Sequence, residues 1–130
     1  MFPELANSPQ NRKSILEKIS VIIPNWNGKR FLKTCLDSLQ AQTYRDFVVY
    51  LVDNGSADDS LDFVKAHYPE VKIIALPQNL GFSAAINAGI QHSSGELIAA
   101  LNNDTEADPG WLEALAKIMD SQPDIGFCAS

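Results

Sequence analysis

The feature of the sequence that most constrains its fold is an apolar run, residues 97–101, that ends abruptly in Asn102-Asn103-Asp104-Thr105. A continuous apolar run is typical of a parallel strand that is buried on both faces. In open α/β sheets, ligands bind just beyond the carboxyl ends of such strands. The Asp104 carboxylate, with amide and hydroxyl oxygens beside it, offers the hard ligands that Mg²⁺ and Mn²⁺ prefer. The same residues are equally typical of a polar turn before a helix capped by Asp108, so both interpretations stand here.

Apolar runs and helical periodicity alternate along the chain. Strands are predicted at residues 19–24, 47–52, 71–76 and 97–101. Helices are predicted at residues 29–41 and 83–91. A further helix is predicted to begin after Asp58 or Asp59 as its cap, and another after Asp108 as its cap, with Pro109 in the first helical position. A fifth strand is predicted at 125–129, and Pro24 is predicted to stop the first. Short connections between alternating strands and helices imply parallel pairing with right-handed crossovers. We therefore predict an α/β fold with a Rossmann-like, doubly wound, mainly parallel sheet flanked by helices.

Composition limits the classes of function. The chain has 130 residues, of which 45% are hydrophobic and 20% charged, values typical of one globular domain. We expect residues 1–18 to form a loosely ordered leader without the apolar core of a signal peptide. A net charge of −6 provides no basic surface for nucleic acid. An anionic ligand would need a bridging cation or backbone donors, which favours a metal at Asp104.

The two cysteines and two histidines are not predicted to do chemistry. Cys35 falls in a helical apolar pattern and Cys128 in the predicted fifth strand, so both are interpreted as core residues of a protein in a reducing cytoplasm. His67 and His92 lie near predicted helix C-termini, where an imidazole interacts favourably with the helix dipole. The sequence also lacks the glycine-rich fingerprints of dinucleotide oxidoreductases and P-loop NTPases.

The loops after the first, second and fourth strands should meet at one edge of the sheet. This places Trp26, Asp53, Asn54 and Asp104 around a common cleft. An indole can stack on a base, a carboxylate or amide can accept an imide N–H, and Asp104 can hold a cation on a diphosphate. Together they suit a pyrimidine diphosphate. Each also has a structural interpretation, with Trp26 as a hydrophobic plug and Asp53-Asn54 as an Asx turn.

Four ordered blocks, residues 20–28, 51–60, 79–82 with 87–89, and 101–105, resemble family 2 glycosyltransferases of the GT-A type, and especially their bacterial rhamnosyltransferase-like branch. The resemblance implies an inverting transfer from a nucleoside diphosphate sugar, with Mn²⁺ or Mg²⁺, to a saccharide or lipid-linked acceptor. Members of this branch build cell-surface polysaccharides. The base is expected to be a pyrimidine, with dTDP-rhamnose favoured and a UDP-sugar next.

The resemblance also assigns roles to individual residues. Asp104 matches the metal-binding acid of the family's Asp-x-Asp motif, whose first acid is replaced here by Asn102. Trp26 matches the aromatic position that stacks on the base. Asp53 and Asn54 match the family's pair of acids after the second strand, the second replaced by an amide, and either of them is a candidate to reach the base. The full set of nucleotide-binding residues that we predict is Pro24, Asn25, Trp26, Asp53, Asn54, Gly81 and Asn102.

Residues 19–130 are accordingly interpreted as the nucleotide-sugar-binding part of a truncated glycosyltransferase domain. Family members supply the catalytic base from the acceptor-binding half, so we expect it beyond Ser130. We expect the chain to self-associate, and to be cytoplasmic, at the inner face of the membrane in a longer protein. The alternatives are a receiver-like or flavodoxin-like binding module, which would place acids close after the first strand, and a nucleotide-sugar-binding module without catalysis.

Overall fold

The computed structural model describes residues 17–130, so most of the predicted leader lies outside the described residues. The elements, in order, are β1 (Ile19–Asn25), α1 (Lys29–Gln40), β2 (Phe47–Asp53), α2 (Ser60–His67), β3 (Lys72–Ala75), α3 (Phe82–His92), β4 (Leu97–Ala100) and α4 (Trp111–Ser121). The four strands form one sheet in the order β3-β2-β1-β4, and every pair is parallel. The predicted α/β class is confirmed.

Alternate residues of β1 face opposite sides of the sheet. Ile19, Val21 and Ile23 pack in one cluster with buried residues of α1, α2 and α4, whereas Ile22 packs in a second cluster with Ala85 of α3. Helices therefore cover both faces, as a doubly wound sheet requires. Because β1 is central and buried on both faces, its sequence is apolar at nearly every position.

The small residues of α3 allow it to approach the sheet closely. A Cβ atom added at Gly89 would lie 2.4 Å from Cγ2 of Ile22 and 3.1 Å from Cγ2 of Val52. Real Cβ atoms do not approach other atoms so closely, so glycine is required where α3 crosses β1 and β2.

Pro24 does not stop β1, contrary to prediction. The strand continues to Asn25, and Pro24 is paired with Val52 of β2. In a parallel strand, the backbone polar groups of alternate residues point to the same neighbouring strand. The carbonyl of Ile22 points to the β4 side, where it accepts the Leu101 N–H at 3.0 Å. The nitrogen of Pro24 therefore faces the same side, beyond the last β1–β4 pair at Ile22 and Ala100. No ladder hydrogen bond is lost there.

The helix caps differ from prediction in detail. Asp59 is the N-cap residue of α2 but makes no side-chain cap hydrogen bond. The Asp58 carboxylate instead accepts the Ser60 N–H at 3.0 Å, in a turn that leads into the helix. Helix α4 begins at Trp111, two residues later than predicted. The Asp108 side chain accepts the Gly110 N–H at 2.8 Å, and its carbonyl accepts the Trp111 N–H at 2.9 Å. Residues 108–111 therefore form a tight turn before the helix rather than its first turn.

The predicted fifth strand is wrong. Residues 125–129 form no strand, Phe127 is 83% exposed, and β4 is the edge of the sheet. An apolar run becomes a strand only when a neighbour accepts and donates its backbone hydrogen bonds. Cys128 is consequently only partly buried, not a core residue, whereas Cys35 is fully buried in α1 as predicted, and both thiols are free. Within residues 17–130, no helix combines the length and the apolar character needed to cross a membrane.

Candidate functional site

A pocket of about 370 Å³ opens at the carboxyl ends of the strands. It is lined by the last residues of β1, by residues that follow β1, β2 and β4, and by residues around the start of α3: Pro24, Asn25, Trp26, Asn54, Asn79, Phe82, Asn102, Asn103 and Asp104. We call this the strand-end pocket. The predicted convergence of three loops is present, at the position where the chain passes from one side of β1 to the other. Of the predicted site residues, only Asp53 and Gly81 do not line the pocket.

Two aromatic rings on the wall of the strand-end pocket are exposed. Trp26 is 55% exposed and Phe82 is 60% exposed. A hydrophobic plug would be buried, so the plug interpretation of Trp26 does not fit the structure. Exposed aromatic faces in a polar pocket are suited to stacking on a base.

The loop that carries Trp26 is held by the loop after β2. Asn27 has a left-handed backbone conformation, with φ 48°. Its side-chain oxygen accepts the Ala57 N–H at 2.8 Å, and its own N–H donates to Ser56 Oγ at 2.9 Å. Asparagine is among the few residues that adopt this conformation readily, and its side chain bonds to nearby backbone. The position of Trp26 is therefore set by its neighbour.

Asp53 lies beneath the pocket and is 1% exposed. Its Oδ1 accepts hydrogen bonds from Asn25 Nδ2 at 3.0 Å and Ser56 Oγ at 2.7 Å, and its Oδ2 accepts the Ser56 N–H at 2.9 Å. The last bond ties Asp53 to the backbone three residues later, in the turn that follows β2. The structure thus gives Asp53 the structural role that the sequence left open, and its contact with a base stays a prediction.

Asn54 connects β2 to the loop before α3. Its Nδ2 donates to the Gly81 carbonyl at 3.0 Å, and its Oδ1 accepts the Leu80 N–H at 2.9 Å. Gly81 has φ 95° and ψ 165°, a conformation that essentially only glycine adopts. Gly81 acts through this turn, which presents Phe82 to the pocket as the first residue of α3.

The loop after β4 offers oxygen ligands. Asp104 and Asn102 are exposed, and Asp104 is the only carboxylate among the pocket-lining residues that the structure describes. Thr105 instead lines a separate cavity on the other side of this loop. In residues 17–130 no cluster of three metal-binding side chains of the His, Cys, Asp or Glu type is present. One carboxylate with neighbouring amides fits a hard cation that a diphosphate helps to hold, but not a site that binds the cation tightly alone.

A buried thiol lies under the same loop. Cys35 Sγ is 3.8 Å from the Asn102 carbonyl, to which it donates a weak hydrogen bond. Burial, and secondarily the negative charge of Asp104, raises the pKa of Cys35 to about 11. The group is a neutral thiol near pH 7, so it packs against the loop and is not a thiolate ligand.

Three lining residues were not predicted: Asn79, Phe82 and Asn103. Asn79 and Phe82 belong to a block that the sequence singled out, but their approach to the pocket depends on the Asn54 and Gly81 contacts. The sequence indicates Asn103 only as an amide oxygen next to Asp104. Its bond to Asn25 spans 78 residues of sequence and leaves no local pattern.

Larger cavities lie elsewhere. One of about 460 Å³ is lined mainly by apolar residues near the amino ends of β2 and β3, together with Gln40, Arg45 and Glu70, and one of about 590 Å³ lies along β4. Two more exceed 370 Å³: one of about 570 Å³ is lined by residues after β1 and β2, among them Lys29 and Asp58, and one of about 390 Å³ is lined mainly by residues of β4 and the segment after it. None of these four combines residues at the carboxyl ends of β1, β2 and β4, so the strand-end pocket remains the candidate site.

Comparisons with known proteins identify the family to which the chain belongs. Residues 20–130 match the sequence profile of the family described as "Glycosyl transferase family 2". The chain is 35% identical over 113 residues to the glycosyltransferase GlyA of Streptococcus pneumoniae, covering 84% of this chain and 16% of GlyA. It is 32% identical over 115 residues to the uncharacterized glycosyltransferase YibD of Escherichia coli, covering 85% of this chain and 33% of YibD.

Solved structures show the same fold. S. aureus TarS, residues 1–349, in complex with UDP-GlcNAc, superposes with a TM-score of 0.76 at 26% identity, covering 82% of this chain and 32% of that chain. The mannosyltransferase PcManGT from Pyrobaculum calidifontis, in complex with GDP-Man and Mn²⁺, superposes with a TM-score of 0.71 at 21% identity.

The chain spans about a third or less of the length of these relatives. The family match leaves no support for the receiver-like alternative, whose predicted acids after β1 are also absent from the sequence. With a matching profile over 111 residues (20–130) and the GT-A arrangement of its sheet, the chain belongs to glycosyl transferase family 2.

Proposed function

We propose that residues 19–130 form the nucleotide-sugar-binding part of a longer inverting glycosyltransferase. The observation that carries the proposal is that one pocket brings the exposed Trp26 and Phe82 rings together with the exposed Asp104 carboxylate. A base stacks on aromatic faces, and a diphosphate needs positive charge beside it. The distribution of the two kinds of side chain matches the two ends of a nucleoside diphosphate.

Asp104 is the residue proposed to hold Mn²⁺ or Mg²⁺ jointly with the diphosphate. When bound, such a cation neutralises negative charge on the departing diphosphate. The protein is acidic, with a net charge of −6, and the described residues place no lysine or arginine on the pocket wall. The amide oxygen of Asn102 adds a neutral ligand. Cation affinity should therefore depend on the nucleotide being present.

The donor is proposed to be a pyrimidine nucleotide sugar. TarS, at 26% identity, has been crystallised with UDP and with UDP-GlcNAc, which supports a UDP-sugar alongside the dTDP-rhamnose favoured by the sequence. Asn54 and Asn25 are lining amides that could meet base edges, but hydrogen bonds within the protein already use both ends of each amide. We propose that Trp26 and Phe82 supply most of the base affinity.

Transfer itself is proposed to need the remainder of a longer protein. Inverting displacement requires a general base beside the acceptor hydroxyl, on the face opposite the departing diphosphate. Asp104 is assigned to the leaving-group side and cannot serve as that base. A saccharide or lipid-linked acceptor, a cytoplasmic location and a role in surface polysaccharide synthesis belong to the same proposal.

Calorimetric titration tests the binding proposal directly. UDP and dTDP should bind more tightly with Mn²⁺ than in EDTA, and GDP should bind more weakly than either. Trp26→Ala should weaken UDP binding by roughly 1–3 kcal/mol, the value of one base–aromatic stack.

Phe127→Ala is the matched control, because Phe127 is 83% exposed but does not line the strand-end pocket. It should leave the affinity unchanged. Equal affinity in Mn²⁺ and EDTA would remove the metal role of Asp104, and preference for the purine nucleotide would contradict the proposed donor class.

A further inference from the structure

Asn103 connects two parts of the strand-end pocket. It directly precedes Asp104, and its Nδ2 donates to Asn25 Oδ1 at 2.9 Å. Asn25 ends β1 directly before Trp26 and is 2% exposed. One side-chain hydrogen bond therefore joins the loop that carries the pocket's carboxylate to the last residue of β1, directly before the residue that carries its indole.

Asn25 is itself fixed from the other side. Its Nδ2 donates to Asp53 Oδ1 at 3.0 Å, and its backbone carbonyl accepts the Asn54 N–H at 2.7 Å. Because Asn25 is held by β2, the bond to Asn103 transmits that fixed position to the loop after β4. A carboxylate in place of the Asn25 amide could accept from Asn103 but could not donate to Asp53.

The backbone of Gly28 lies directly against the Asn103–Asn25 hydrogen bond. A Cβ atom there would lie 2.2 Å from Asn103 Nδ2 and 2.5 Å from Asn25 Oδ1. The φ of Gly28 is −106°, which other residues also adopt, so the contact with the two amides, rather than the backbone, excludes a side chain. The chain thus leaves room for the amide pair at the start of α1.

We propose that Asn103 is a positioning residue that couples cation binding to nucleotide binding. The inference rests on the proposed function, in which the base stacks near Trp26 and a cation joins Asp104 to the diphosphate. A cation can strengthen nucleotide binding fully only if Asp104 is already at the right distance from the stacked base. Without the Asn103–Asn25 bond, the loop must be ordered during binding, and that ordering opposes the gain.

The test is the ratio of UDP dissociation constants in EDTA and in Mn²⁺, compared between wild type and Asn103→Ala. The ratio should fall by about fivefold in the variant, the change expected when one hydrogen bond is lost. The dissociation constant in EDTA should stay unchanged, because Trp26 and Phe82 are untouched. Thr105→Ala is the matched control: it shortens a side chain of the same loop that lines another cavity, and it should keep the wild-type ratio.

Gly28→Ala tests the same contact by a different perturbation. It leaves both amides in place but separates them, so its ratio should fall as in Asn103→Ala. Should Asn103→Ala fail to fold in a melting experiment, the ratio for Gly28→Ala decides the question.

The outcomes separate the two proposals. A wild-type ratio of one would refute the metal role of Asp104, and with it the coupling. A wild-type ratio well above one that both variants retain would overturn the role of Asn103 alone. Weakening by the same factor in EDTA and in Mn²⁺ would also overturn it, because a merely structural residue would act in that way.

Discussion

Glu17 provides a pH-dependent contribution to stability that can be calculated from its contacts. Its side chain is 9% exposed at the start of the sheet, on the side away from the strand-end pocket. Oε1 accepts from Tyr50 Oη at 2.7 Å and Ser20 Oγ at 2.9 Å, and Oε2 accepts from Ser94 Oγ at 3.1 Å. Burial alone would raise its pKa, but the hydrogen bonds outweigh burial and lower the pKa from 4.5 to about 2.

A lowered pKa in the folded state means that the charged form stabilises the fold. The stabilisation is complete above the unfolded-state value of 4.5 and is lost as the pH falls toward about 2. With about 1.4 kcal/mol for each pKa unit, the full contribution is roughly 3 kcal/mol, of which about 2 kcal/mol should be lost by pH 3. This is a large fraction of a typical domain stability of about 5–15 kcal/mol.

The variant Glu17→Gln should therefore be less stable than wild type by roughly 2–3 kcal/mol at pH 7, and the difference should shrink to below about 1 kcal/mol at pH 3. Urea unfolding of both proteins between pH 3 and pH 7 measures this. Glu106→Gln removes the same charge from an exposed side chain, and its difference from wild type should not follow this curve. A Glu17→Gln difference that stays constant across the range would refute the reasoning.

Two further predictions concern packing. Gly89→Ala should destabilise the fold by about 1–3 kcal/mol in urea unfolding, despite the higher helix propensity of alanine, because its Cβ would meet Ile22 and Val52. A Cβ at Gly126 would have nothing within 4 Å, so Gly126→Ala should change the stability little. Equal stability of both variants would contradict the close approach of α3. The 130-residue chain should self-associate through the edge of β4, where Ile98 is 41% exposed, so sedimentation should show a dimer that Ile98→Lys returns to monomer; a concentration-independent monomer of the wild type would contradict this.

Much of the fold could be predicted from the sequence because a buried parallel strand has a distinct composition. The runs that became β1, β2 and β4 are apolar on both faces, and each ends in polar residues at the predicted edge. The same rule failed at residues 125–129, since apolar composition does not show whether a neighbouring strand is present. The predicted helix ends differ from the observed ones by one or two residues, as at Asp108, where one side chain can cap either a turn or a helix.

The site was predictable in position but not in the division of roles among its residues. Strand order places the residues after β1, β2 and β4 together, so Trp26 and Asp104 could be predicted to share a pocket. Whether Asp53 faces a ligand or its own chain depends on Asn25 and Ser56, and the first of these lies 28 residues away. Long-range side-chain hydrogen bonds leave no periodicity, and only the folded chain reveals them.

The buried polar residues explain how few exposed ones the site needs. Asn25, Asp53 and Asn54 are all less than 5% exposed, and their bonds connect the three loops. Asparagine suits the central position because one amide both donates and accepts, so Asn25 can bond to a carboxylate on one side and to another amide on the other. Groups held in this way lose little conformational entropy when a ligand binds, so ordering them does not reduce the binding free energy. The exposed Trp26, Phe82 and Asp104 can then contact a ligand from positions that the buried network has already set.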